Sequence, residues 1–247
     1  MTAMRRTRPS FSVVIPVLGE AAGIDAVVDH VRVVGYGQDV EVVVVDGDPA
    51  GSTLAALTRC GVTALTAPPG RARQQNAGAA AAGGETILFL HADVRLPAGA
   101  FQVAEAALAA GATLGAFSLA LRTRHPWLRL AAAGATLRSR LFSLPYGDQA
   151  FFMRREVFCA LGGFPDLPIM EDVALVRAVR RAGGMVRILP GCVVASARRY
   201  EARGPLRTTL RNLALLTLFS CGVPATRLAR FYPPLPGPGG GAGEGGA

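Results

Sequence analysis

The sequence predicts a single α/β domain with a mixed, mostly parallel central sheet and helices on both faces. Short β-branched and leucine-rich runs alternate with stretches of helical periodicity, the order expected of a parallel sheet with crossover helices. Several of those runs stop abruptly at a carboxylate. The length, 247 residues, suits one large α/β core and is a tight fit for two.

The clearest strand is residues 86–90, a β-branched, aromatic and leucine run too short for a lone helix, preceded by Gly83 and Gly84 and ended by His91 and Asp93. Loops at the carboxyl ends of such strands line the ligand crevice of open α/β sheets. From local sequence alone, Asp93 reads equally as the cap of a helix beginning near Pro97 and as a ligand in that crevice.

Residues 11–18 form the first strand, which brings Glu20 to a carboxyl end before a helix that runs to about Val33. Residues 40–45 form the second, closing on Asp46 and Asp48, which also suit a plain turn. A third strand over 62–67 precedes a helix over 71–82, whose first turn carries Arg71 and Arg73 where free amides favour anions. After the 86–90 strand come a helix over 97–110, a strand over 114–121 and a helix over 127–142. That last helix reads as a core helix, with a membrane-facing role the alternative.

Asp148 and Gln149 fall at a loop-to-strand junction suited to an acceptor contact. Glu171 and Asp172 open an amphipathic helix, where N-capping by Asp172 competes with catalysis. Late strands are expected at 185–189 and 193–196. Arg198 and Arg199 then provide a basic stretch for acceptor contact or for solvent, and a helix follows over 206–219. Residues 206–232, with an apolar run between arginines, either pack on the domain or rest peripherally on a membrane.

The expected organisation is a basic extension at 1–9, a domain at 10–232 and a disordered Pro/Gly tail at 233–247. Within the domain, a family resemblance carried by the strand-end motifs implies a nucleotide-binding half at 10–95 and an acceptor half at 96–200, followed by a helical segment at 201–232. No run reaches the roughly 18 to 20 apolar residues of a spanning helix, and no apolar signal core follows the first arginines, so a cytoplasmic location is expected. Cys60, Cys159, Cys192 and Cys221 are too scattered for a disulfide framework or zinc site and read as reduced packing residues.

The net charge of +9 rests on arginine alone, because the chain contains no lysine. That excludes a Walker A lysine and Schiff-base chemistry. Arginine suits bidentate phosphate recognition. No basic stripe with interleaved aromatics is present, so no nucleic-acid partner is expected.

Taken together, Val14-Ile15-Pro16 with Glu20, Val45-Asp46-Gly47, Arg71 with Asn76 and Gly78, Leu90-His91-Ala92-Asp93 and Met170-Glu171-Asp172 resemble the family 2 glycosyltransferases, over about residues 10–220. Within that family the segment 70–78, His91-Ala92-Asp93, residues 146–149 and residues 196–200 look most similar to a small bacterial branch. Its transferases are linked to arsenosugar biosynthesis or to radical-SAM and selenodomain gene neighbourhoods.

The resemblance implies a Rossmann-like GT-A fold and an inverting, metal-dependent transfer from a nucleotide-diphosphate sugar, a UDP-sugar foremost, to an acceptor hydroxyl. It implies that Glu20, Asp46, Asp48, Arg71, Asn76 and His91 bind the nucleotide side and that Asp93 holds Mg²⁺ or Mn²⁺. The Glu171-Asp172 pair would be catalytic, with Asp172 the general base. His91 stands where the family usually has aspartate; a neutral imidazole suits Mn²⁺ better than Mg²⁺, so His91 is expected beside the metal rather than on it. The alternatives are a nucleotidylyltransferase-like enzyme, disfavoured by the missing lysine, and a binding module without catalysis.

Overall fold

The computed structural model describes residues 9–232 except the side chain of Arg199; residues 1–8 of the expected extension and the expected tail at 233–247 lie outside the described residues. The chain begins β1 (Phe11–Val17), α1 (Ile24–Val34), β2 (Val40–Asp46), α2 (Ser52–Ala55), β3 (Thr63–Thr66), α3 (Arg71–Ala81) and β4 (Thr86–Phe89). It continues through β5 (Val94–Arg95), α4 (Ala100–Ala109), β6 (Leu114–Arg122), α5 (Pro126–Phe142), a 3-10 turn at Gly147–Gln149, β7 (Phe152–Arg154) and α6 (Arg155–Ala160). Then come α7 (Glu171–Arg181), β8 (Val186–Ser196), α8 (Arg198–Arg203), α9 (Pro205–Ser220) and α10 (Ala225–Leu228).

The described strands form one sheet in the order β3-β2-β1-β4-β7-β6-β8-β5. Parallel pairing joins β3, β2, β1 and β4, as well as β6 with β8. β7 runs antiparallel between β4 and β6, and β5 runs antiparallel at the edge.

The period of two along each strand divides the core. Val13, Ile15 and Val17 of β1 enter one layer with α1 and α4, while Val14 enters the other with α3 and α7. α1 presents Ile24, Val27, Val28 and Val31, all buried at helical spacing, each contributing about 2 kcal/mol on transfer from water. On the other face, a methyl on Gly78 would lie 2.4 Å from Val14 Cγ1 and 2.9 Å from Val45 Cγ2. α3 therefore lies directly against β1 and β2, and its first turn, with Arg71, sits at their carboxyl rim.

Several details differ from the sequence reading. β8 is one strand, not two: its register with β6 passes from Phe117↔Leu189 to Ser118↔Cys192, so Pro190 and Gly191 form a bulge that the strand survives. α4 begins at Ala100 rather than near Pro97, because its N-cap is Gly99, in the left-handed region at φ 69°. α6 and α8 are unexpected helices of a turn or two. All four cysteines are exposed free thiols and none is a packing residue. α5 is only partly a core helix, burying Leu128, Ala132 and Ser139 while Leu130, Leu137 and Leu141 face outward.

Candidate functional site

β1 and β2 end in register, Val17 opposite Asp46. Gly47 donates its N–H to the Val17 carbonyl at 2.8 Å, and Gln74 Nε2 donates to the carbonyls of Val17 (2.7 Å) and Val45 (2.9 Å). This buried amide clips the two strand ends together. The sequence reading missed Gln74, whose signal was its place in the first turn of α3 on the face shared with Gly78.

Asp46, expected at the nucleoside, is wholly buried instead. Its carboxylate accepts from the amides of Asp48 (3.0 Å), Thr53 (2.8 Å) and Leu54 (3.4 Å), shaping the β2–α2 loop from beneath. Asp48 lies higher in that loop, where the Ser52 hydroxyl and the Ala50 amide hold its carboxyl below the usual range. Glu20, at the end of β1, receives Arg198 Nη2 at 3.0 Å, a contact between residues 178 apart in sequence. Arg198 thus faces the β1 rim. The side chain of Arg199 lies outside the described residues.

β4 delivers His91 and Asp93 to the same rim through a turn in which Val94 donates its N–H to the His91 carbonyl at 3.0 Å. Asp93 does not cap a helix: β5 separates it from α4, whose N-cap is Gly99. Its side chain is exposed, while its carbonyl accepts the Ser196 amide from β8 at 3.0 Å.

The start of α7 closes the cleft. The N-cap position belongs to Met170, in the left-handed region at φ 65° with no side-chain cap. Ala150, beyond the Gly147–Gln149 turn, is likewise left-handed at φ 50°. Non-glycine residues held in this region cost about 1–3 kcal/mol, and such strain clusters at functional sites. Asp172 Oδ2 accepts the Gly147 N–H at 2.7 Å, and Oδ1 accepts the Val173 N–H at 2.7 Å. A methyl on Gly147 would lie 3.4 Å from both Asp172 Oδ2 and His91 Nε2, so this glycine lets the carboxylate and the imidazole close on one loop.

Around them stand Asp148, Tyr146, Glu171 and Arg71. Burial, reinforced by Asp172 and Asp93, pushes the Asp148 carboxyl up to about 6, and its Oδ1 is buried without a hydrogen-bond partner. Burial pushes the Tyr146 hydroxyl up to about 12 against the pull of Arg138, which lies 3.6 Å over its ring. Glu171, 6% exposed, is raised by burial and by Asp172, with Arg71 opposing from 4.0 Å. Desolvation works against the Arg71 charge, but Glu171, Tyr232 and Asp172 outweigh it and hold the guanidinium above its ordinary value.

Two other expected site residues have scaffolding contacts. Asn76 brackets Phe164, donating to its carbonyl at 2.8 Å and accepting its amide at 2.9 Å, which pins the loop before α7 to α3. Gln149 is buried. Its Oε1 accepts the Ser139 hydroxyl (2.9 Å) and the Tyr146 amide (3.0 Å), and its Nε2 donates to the Phe117 carbonyl (2.7 Å).

The carboxylates suit a divalent cation. Asp93 and Asp172 both raise the carboxyl of Asp148, which carries an orphaned oxygen, and a cation would relieve that crowding. Among the described residues no group of three or more His, Cys, Asp and Glu could hold a metal alone. An ion bound here would have to take most of its oxygens from a phosphorylated ligand and water.

Residues 12–158 match the sequence profile of glycosyl transferase family 2. No curated protein sequence matches the chain. Among solved structures, the chain resembles glucosyl-3-phosphoglycerate synthase of Mycobacterium tuberculosis, solved with Mn²⁺, UDP and glucosyl-3-phosphoglycerate. The TM-score is 0.60 at 21% identity, over 87% of this chain and 81% of that one. It also resembles residues 1–349 of S. aureus TarS, with TM-score 0.58 at 17% identity over 85% of this chain. The same TarS segment bound to UDP-GlcNAc gives TM-score 0.57 at 16% identity over 76% of this chain. The chain spans 65% and 58% of those two TarS chains. These likenesses establish a shared fold.

Proposed function

Because the chain belongs to glycosyl transferase family 2, we propose that it moves a sugar from a nucleotide-diphosphate donor to an acceptor hydroxyl with inversion, using Asp172 as base and Asp93 as metal ligand. The observation that carries this reading is the meeting of separate elements at Gly147, which gives its N–H to Asp172 at 2.7 Å and, next to Asp148 in the chain, faces His91 of the turn that carries Asp93. Solved neighbours of the same fold are described with UDP or UDP-GlcNAc, which supports a UDP-sugar as donor. The segments 70–78 and 146–149 support the small bacterial branch named above.

On the donor side, Glu20 and Asp48 frame the nucleoside and Arg71 faces the diphosphate, while buried Asp46, Gln74 and Asn76 keep those loops in place. Asp93 would hold a Mg²⁺ or Mn²⁺ ion, which would supply positive charge for the departing diphosphate. On the acceptor side, Asp172 takes the hydroxyl proton as the oxygen attacks the anomeric carbon, and the bond from that carbon to the diphosphate breaks on the opposite side. The Gly147 N–H fixes the orientation of the Asp172 carboxylate, and Glu171, raised by burial and paired with Arg71, keeps its place behind it. Asp148 lines the acceptor pocket, with Arg198 at its edge.

No helix among the described residues is long and apolar enough to cross a membrane, which is compatible with a peripheral contact through α9. The test of the whole reading is a nucleotide-sugar screen by thermal stabilisation with Mn²⁺, because a ligand of the native state raises the melting temperature. A hit should yield, with its acceptor, a product of inverted anomeric configuration by NMR. Stabilisation by no nucleotide or nucleotide-sugar would overturn the reading.

A further inference from the structure

We propose that α5 and α9 together dock the protein on an anionic lipid surface, a role independent of sugar transfer. On α9, Leu206, Leu210 and Leu213 recur at i, i+4 and i+7 and form one stripe, with Leu218 further along the helix. All four are exposed, between 44% and 56%, while the polar Thr208 of the same helix is buried. α5 packs beside α9 and repeats the pattern, with Leu130, Leu137 and Leu141 exposed between 58% and 68%. A continuous leucine stripe in water marks a surface that something covers.

The surrounding charge identifies the cover. Residues 122–146 carry five arginines and no Asp or Glu; residues 202–232 also carry five arginines and no Asp or Glu. Arg129 and Arg207 are exposed next to the leucines, placed to lay their stems on the apolar stripe while their guanidiniums reach phosphate headgroups. Leucines on one face with arginines beside them, on two helices that themselves carry no acid, are the composition of an interfacial helix on anionic lipid. A second copy of the chain fits poorly, since two such faces would bring arginines against arginines with no acid on either helix to oppose them.

The full chain should co-float with phosphatidylcholine vesicles containing phosphatidylglycerol, bind vesicles of phosphatidylcholine alone about tenfold more weakly, and release as salt is raised. The double variant Leu210→Gln/Leu213→Gln should bind the anionic vesicles about tenfold more weakly while keeping its melting temperature and nucleotide binding, because both side chains are exposed. Failure to co-float, equal flotation of the variant, or a leucine-dependent dimer in sedimentation without vesicle binding would each overturn the proposal. Vesicle binding is read without activity, so failure here is distinct from failure of the transfer reading.

Discussion

Gly147 donates its backbone N–H to Asp172 Oδ2 across 2.7 Å, joining the loop before β7 to the first turn of α7. An asparagine at 172 keeps an oxygen for that bond but cannot take a proton from a hydroxyl. Asp172→Asn should therefore fold normally, bind nucleotide as the parent does, and lose transfer by roughly 10²- to 10⁴-fold in kcat, the usual contribution of a general base. Steady-state kinetics beside calorimetric nucleotide binding check this, and full activity in the variant would remove Asp172 from its role.

Asp93 presents its side chain to solvent while its backbone is fixed to β8 by the Ser196 amide. Truncation should therefore leave the fold intact and remove a metal ligand. In Asp93→Ala, the gain in UDP affinity on adding Mn²⁺ should collapse, with metal-free affinity little changed. Titration calorimetry with and without Mn²⁺ measures the difference; an undiminished metal effect would place the ion elsewhere.

The Asp148 carboxyl, raised from 3.8 to about 6 mainly by burial, sets a pH dependence of stability. Between those values the native state keeps a proton that the unfolded chain has lost, so stability falls as pH rises through the window and levels off above it. Glu171, raised by burial and by Asp172, adds a loss of the same sign. Asp148→Asn should flatten the slope and leave the variant more stable than the parent above pH 6, by on the order of 2 kcal/mol. Denaturant melts across pH in chelator test this, and an unchanged slope would show that Asp148 ionises freely.

The parts of the site legible in sequence were those written as abrupt chemistry at the end of an apolar run. Glu20, Asp93 and the Glu171-Asp172 pair each follow or precede a periodic stretch, and each reaches the rim. Asp46 carried the same signal, yet it is buried beneath the loop, because a strand-terminal aspartate satisfies backbone amides as readily as it meets a ligand. Sequence could not separate these outcomes, since both place an aspartate before a glycine turn. Gln74 was hidden for the opposite reason: glutamine is an ordinary helix residue, and only the close approach of α3 to β1 and β2 turns its amide onto two strand ends. The single strand β8 was read as two because a central Pro190-Gly191 pair looks like a break; pairing on both sides of the bulge carries it through.

Gln149 tests whether the turn at Gly147–Gln149 acts through contact with an acceptor or through support of Asp172. Its buried amide satisfies the Ser139 hydroxyl, the Tyr146 N–H and the Phe117 carbonyl. Removing it leaves up to three buried groups without partners, at about 1–3 kcal/mol each before relaxation or entry of water. Gln149→Ala should therefore lower stability by about 3 kcal/mol, or roughly 6–12 °C in Tm for a chain of this size. Because Gly147 sits two residues earlier in the same turn, kcat should fall with the loosened Asp172 while the acceptor KM changes little. Thermal unfolding and acceptor titrations separate the two roles: an unchanged Tm with a raised acceptor KM would mean that Gln149 turns outward to the acceptor.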